Sequence, residues 1–388
     1  MQRPLLYVAL LAALAVPGLC IVGAQGRADT PPLFRAGVSL VQLDAVVTDK
    51  RGRHVTTLGP SDFEVWQDGR RQPVTAVAYL RIDEPTFVAE GDQPVGVSAL
   101  RPRDARRIVA LVVDDARMSF TSLYHTRRAL HAFIDRHLAP DDLACLVTTT
   151  GAPRSSWPFT YSRPQLRAAV NRLQFSLMTA EVDPLTTLGF SGPLGLLPSI
   201  EDQYRERTYA VAALNRVVDV INAVRELPGR KAIVLVSEGF VLFGSAVDGG
   251  FVRDAMRLIV DRANRAAVVI YAVDPRGLVV TSMGANEGGT GSPHAAMQRG
   301  SALRATQDGL RFVAAETGGF AVVDNNDLPG ALGRVMDDQR GYYLVGYQPD
   351  AATFAPGSAQ EFRKLKLKVV RPGLKVRARA GFYGRPTE

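Results

Sequence analysis

The sequence predicts an α/β fold, with a mostly parallel, doubly wound sheet inserted in a small β-sandwich built from both chain ends. Three observations carry this. Ile108 to Val113 is an uninterrupted apolar run closed by Asp114 and Asp115, the pattern of a strand buried on both faces that delivers polar groups at its C-terminal end. From Arg107 to about Gln339 such runs alternate with segments of helical apolar spacing, as parallel strands covered by helices do. On either side of that stretch the pattern changes to short alternating strands and tight turns.

In chain order, Met1 to Ala24 combines Arg3, an apolar run from Leu5 to Val16 and the small residues Val22-Gly23-Ala24, which together read as a secretory signal. The mature chain is therefore expected to be exported to the periplasm or beyond the cell. No other stretch approaches the roughly 20 apolar residues of a membrane span, so the protein is not expected to be transmembrane. Residues 25–81 hold strand patterns at Val38 to Val47, Phe63 to Trp66 and Pro73 to Leu80, with a hairpin signal at Asp68-Gly69. Residues 82–105 contain Pro85, Pro94 and Pro102 without periodicity and read as a linker.

The α/β domain is expected over residues 106–339. Its strands are predicted at Ile108 to Val113, Leu143 to Thr148, Lys231 to Val236, Ala267 to Val273 and Phe320 to Val323. Helices are predicted at Ser122 to Leu138, after Ser162-Arg163-Pro164, at Ile200 to Leu227, Phe251 to Arg265 and Ser301 to Glu316. Two long segments, Phe175 to Ser199 and Arg276 to Gly300, read as loops; the first is apolar, the second glycine-rich. Residues 340–388 return to strand patterns at Tyr342 to Tyr347, Phe362 to Val370 and Leu374 to Tyr383, the partners that the N-terminal strands lack.

The net charge of +8 is concentrated at the C-terminal end, where nine Lys or Arg between residues 361 and 388 face two acids. They mostly alternate with Leu365, Leu367, Val369, Leu374 and Val376, which marks the outer face of a strand pair; no nucleic-acid partner is expected. A phospholipid or polysaccharide surface is the anionic contact that such a face allows. Cys20 would leave with the signal, so Cys145, in an apolar run, is read as a buried small hydrophobe. His125, His131 and His137 stand six apart and do not share a helical face as metal ligands would. No Gly-x-Ser-x-Gly elbow, Asp-x-Asp pair or Gly-x-Gly-x-x-Gly loop follows a predicted strand, and no enzyme is expected.

Val-Thr-Asp-Lys-Arg-Gly (47–52), Asp-Phe-Glu-Val-Trp-Gln-Asp-Gly (62–69), Pro-Gly-Arg-Lys-Ala-Ile-Val-Leu-Val-Ser-Glu-Gly (228–239), Thr-Gly-Gly (317–319) and Tyr-Tyr-Leu-Val-Gly-Tyr-Gln-Pro (342–349) occur in this order. In these motifs the chain resembles the von Willebrand factor A-related domain proteins common in Acidobacteria. The resemblance implies a von Willebrand factor A-like domain, and a metal-ion-dependent adhesion site built on an Asp-x-Ser-x-Ser turn with a distant Thr and Asp. Carried over, Asp115 takes the first position and Ser119 the last, Thr208 supplies the distant hydroxyl, and Glu238 replaces the distant Asp. Arg117 stands where the middle hydroxyl belongs, so the site is degenerate. Mg²⁺ or another divalent cation is the cofactor such a site admits, and Arg117 competes with it as a counter-charge to the carboxylates. Asp114, Arg117 and Asp274 are the expected ligand-binding groups. The expected function is a non-enzymatic adhesion or protein-interaction module that recognises a protein or cell-surface ligand at the C-terminal edge of the sheet. The alternatives are a metal-dependent hydrolase using the same acidic edge, and an envelope structural protein that binds anionic surfaces.

Overall fold

The computed structural model describes residues 40–82, 107–116, 118–150, 159–175, 200–241, 249–279, 293–354 and 361–383. The expected signal segment, nearly all of the linker, the apolar loop after Phe175 and Arg117 lie outside the described residues. In chain order the elements are β1 (Val41–Thr48), β2 (Phe63–Gln67), β3 (Arg70–Gln72), β4 (Val74–Arg81), β5 (Arg107–Val113), α1 (Phe120–Arg136), β6 (Asp142–Thr148), α2 (Arg163–Asn171), α3 (Ile200–Val224) and β7 (Arg230–Val236). There follow α4 (Gly249–Arg265), β8 (Val268–Val273), α5 (Pro293–Glu316), β9 (Ala321–Val322), α6 (Leu328–Asp338), β10 (Gly341–Tyr347), β11 (Phe362–Val369), β12 (Lys375–Ala378) and β13 (Gly381–Tyr383).

Five strands form one parallel sheet in the order β6-β5-β7-β8-β9. Every residue of β5 is buried, because alternate side chains enter two different cores. Ile108, Ala110 and Val112 pack with apolar residues of α3, α4 and α5, while Val109, Leu111 and Val113 pack with those of α1, α2 and α6. The chain winds outward to β6, then crosses back past β5 to β7. This reversal of direction opens a crevice at the carboxyl ends of β5 and β7, where open sheets of this kind place ligands.

The remaining strands form two antiparallel sheets, β12-β1-β10-β4 and β13-β11-β2-β3, each of four strands. Their inward residues, among them Leu43, Ala45, Val65, Tyr343, Val345, Tyr347 and Leu365, share one core. Each sheet mixes strands from residues 41–81 with strands from residues 341–383. The turn at Asp68-Gly69 has φ of 49° and 81°, the paired positive values of a tight hairpin.

Three expectations are corrected. Leu374 to Tyr383 is two strands, because the chain leaves β12 at Arg379-Ala380 and crosses to the other sheet, where Ala380 O accepts from Leu365 N at 2.7 Å. The glycine-rich segment read as a loop to Gly300 is helical from Pro293. Five of the six glycines that signal a loop precede Pro293, and Pro293 in the first turn is followed by the good helix formers Ala295, Ala296, Met297, Gln298 and Arg299. A whole helix, α6, has no counterpart among the predicted elements.

Candidate acidic edge of the parallel sheet

Each parallel strand continues one ladder step past its end. Thr149 N donates to Val113 O at 3.1 Å, Asp114 N to Val236 O at 2.9 Å, Ser237 N to Val273 O at 3.1 Å and Asp274 N to Val322 O at 2.9 Å. Thr149, Asp114, Ser237 and Asp274 therefore stand in one row across the C-terminal edge. Asp114 is buried and held from both sides, by Ser237 Oγ at 2.8 Å and by Thr149 Oγ1 at 3.0 Å. Asp115 shares the Thr149 hydroxyl with Asp114, at 3.1 Å, and accepts from Thr150 N at 3.0 Å and from the Thr150 hydroxyl.

Glu238 is buried, and its Oε1 accepts from Ser119 N at 2.9 Å. That places a carboxylate at the positive end of α1. Ser119 Oγ is the N-cap of α1, accepting from Ser122 N at 3.1 Å. Gly239, at φ 94°, lets the chain after β7 lie against α5, where Phe240 N donates to Thr306 O at 3.1 Å. A Cβ at Gly239 would come within 2.3 Å of that same carbonyl.

Asp274 takes a different partner. Arg276 grips it through Nε at 2.9 Å and Nη2 at 2.8 Å, and Gln307 Nε2 adds a bond at 3.1 Å. The structure thus brings Asp114, Asp115, Ser119 and Glu238 to the mouth of the β5/β7 crevice, while Asp274 is neutralised by its own arginine. Thr208 lies two turns inside α3 with its side chain exposed, not at the helix entry. Sequence reasoning missed Thr149, Thr150 and Arg276. The signals were the run Thr148-Thr149-Thr150 directly after a buried strand, and the i, i+2 spacing of Asp274 and Arg276.

A divalent cation would need oxygen lone pairs left free at this edge. Among the described residues no group of three His, Cys, Asp or Glu side chains is placed to hold a metal ion. The oxygens of Asp115 face hydroxyl and amide donors, Glu238 faces an amide, and Ser119 Oγ faces the amide it caps. As they stand, these groups make a hydrogen-bonded acidic edge and not a cation cage.

Large apolar side chains are exposed on the segments that follow this edge. Phe120 and Tyr124 on the first turns of α1, Phe251 on the first turn of α4, Leu278 after β8 and Met297 early in α5 are all exposed, Phe120 at 67% and Met297 at 72%. Helices that follow parallel strands begin at the C-terminal edge of the sheet, so these residues lie toward that end, Phe120 next to Ser119 and Met297 more than two turns before Thr306, which contacts Phe240 and Arg276. The Arg207 guanidinium lies 5.0 Å from the centroid of the Phe251 ring.

Fold and site together define a mixed α/β protein with a five-stranded parallel sheet, antiparallel sheets beside it, and a carboxylate row at the sheet's C-terminal edge. No family model matches the chain, and no curated protein matches it. Among solved structures it is similar to an aerotolerance-related membrane protein from Bacteroides fragilis, with 13% identity and a TM-score of 0.33 over 60% of this chain and 98% of that one. No helix among the described residues is long and apolar enough to cross a membrane.

Proposed function

We propose that the chain is an exported, non-enzymatic interaction module. In this reading a von Willebrand factor A-like domain is carried on a β-sandwich that both ends of the chain build, and it recognises a protein or cell-surface ligand at the acidic edge. The observation that carries the reading is the set of exposed Phe120, Tyr124, Phe251, Leu278 and Met297 on the segments that follow the edge of Asp114, Asp115 and Glu238. Apolar anchors around a few fixed polar groups are the composition of a recognition surface.

The polar groups also support binding over turnover. The Ser237 hydroxyl donates straight to Asp114, and no imidazole among the described side chains lies between them to serve as base. Because the carboxylates already have donors, recognition in this reading does not require a cation.

The test is capture by the immobilised chain from a cell-envelope fraction, with mass spectrometry of what is retained. A retained protein or glycan should be lost when Phe251→Ser and Met297→Ser are combined, and kept in EDTA, with the melting temperature unchanged. Equal retention by the double variant would sink the surface assignment. Loss in EDTA would favour a cation at Asp115 and Glu238, and turnover of phosphatase, esterase or peptidase substrates with Mg²⁺ would favour the hydrolase.

A further inference from the structure

A second surface lies at the opposite end of the parallel sheet. Helix α5 starts at the acidic edge and ends at Glu316, and Glu316 borders a groove of ≈ 540 Å³ whose other walls include Trp66, Phe362, Lys364, Lys366 and Lys368. The three lysines alternate along β11 and are exposed, while Leu365 between them is buried, so their ammonium groups follow one face at roughly 7 Å intervals. Trp66 faces Lys366 across the ladder.

The charges on this face are only partly balanced. Glu64, beside Trp66 on β2, is occupied by Arg71 at 3.2 Å and by the Trp66 indole N–H at 3.3 Å. Lys364, Lys366 and Lys368 have no carboxylate within salt-bridge distance among the described residues. The bond to Glu64 also fixes the indole, and Lys368 Nζ stands 5.2 Å from its ring centroid. The groove therefore pairs one aromatic ring with a row of three lysines that no salt bridge ties down, Lys364 within Coulombic reach of Glu316 and Lys368 across the ladder from Glu64, above a floor that includes Leu365 and Ala380.

We propose that this groove binds an acidic polysaccharide, with a pyranose ring against Trp66, uronate carboxylates on the three lysines and sugar hydroxyls donating to Glu316. Three features favour a glycan over other polyanions. Lysines act as separate point charges suited to spaced single carboxylates, whereas bidentate phosphate recognition calls for arginine, and the nearby Arg71 is already committed to Glu64. A single fixed aromatic gives one sugar-ring platform, while single-stranded nucleic acid is held by successive stacking rings. The site is concave and carries a carboxylate at its end, an acceptor for the hydroxyls that alternate with the carboxylates along a polyuronate.

The experiment uses the full chain with Trp157→Phe, which leaves Trp66 as the sole tryptophan of the two in the sequence. Titration with a short oligogalacturonate should change the Trp66 fluorescence saturably, and added salt should weaken binding. Combining Lys364→Gln, Lys366→Gln and Lys368→Gln should raise the dissociation constant by roughly tenfold or more at unchanged melting temperature. The proposal is overturned if the oligogalacturonate gives no response or the lysine variant binds as well as its parent. Equal binding of a fully methyl-esterified oligomer would also overturn it, as would binding only to oligothymidylate or only to phosphatidylglycerol vesicles. Because these variants lie away from the acidic edge, failure here leaves the envelope-capture result unaffected.

Discussion

Gly239 is the residue on which the acidic edge is most exposed to a small change. It combines a φ of 94° with a close approach to Thr306 O, and it follows directly on Glu238. Gly239→Ala should destabilise the protein by about 1–3 kcal/mol from backbone strain alone, with the contact to α5 adding to it. A chemical denaturation midpoint equal to that of the parent would show that the loop relaxes freely. Cys145 makes a second test. Burial pushes its thiol up to about 12, so native protein should resist a thiol reagent at pH 8 and label only on unfolding. The same shift has a consequence for stability. The unfolded thiol ionises near pH 9 while the folded one keeps its proton, so this contribution is complete below that pH and is lost as pH rises toward 12. Burial raises Tyr342 to about 12 and Tyr271 and Tyr347 also upward, in the same sense. A pH series of melting temperatures should therefore fall through the alkaline range.

At the scale of elements, Ser119 separates two roles for one hydroxyl. As the N-cap of α1 it should cost about 1 kcal/mol when changed to alanine, with ligand capture preserved, since its amide would still reach Glu238. Loss of capture without loss of stability would show that the hydroxyl contacts the ligand or a cation. The parallel strands were legible in the sequence because burial on both faces leaves unbroken apolar runs: β5, β6 and β7 match their predicted spans to within a residue. Helix α6 was not legible. Gly330 and Gly333 lower its propensity and obscure its start signals, the Asp327 N-cap and Pro329 in the first turn, while Leu328, Ala331, Leu332, Val335 and Met336 form the buried face that packs against β8 and α1. The donors around Asp114 and Asp115 were hidden for another reason. Thr149 and Thr150 directly follow β6, and only the order β6-β5-β7 makes them neighbours of a carboxylate more than thirty residues earlier.

At the scale of the molecule, the parallel sheet and the first antiparallel sheet are joined by buried polar contacts. Tyr271 donates to Asp338 at 2.7 Å, and Arg377 of β12 pairs with the same carboxylate. Arg230 donates to Gln339 Oε1 at 2.9 Å, and its guanidinium lies 4.2 Å from the Tyr342 ring centroid. Arg379 reaches Asn264 O at 3.0 Å and Gln42 O at 2.7 Å. Two of the basic residues read as an outer, solvated face are thus turned into this junction. Asp338→Ala leaves a phenol and a partly buried guanidinium without their acceptor, and should cost about 2–4 kcal/mol. A thermal scan in which the variant melts in one transition at the parental temperature would show that the junction contributes little.

The strands β4 and β10 carry one further consequence. Arg81 faces Gly341 across their ladder, and Ile82 N still donates to Arg340 O at 2.8 Å. The chain therefore leaves this sheet after Ile82 and rejoins it at Gly341, one rung apart. A two-residue hairpin turn spans such a gap, so the intervening stretch behaves topologically as a cassette: it can be lengthened, exchanged or excised without rethreading a strand on either side. The acidic edge and the antiparallel sheet are thus held in register by the junction arginines and not by the path of the chain.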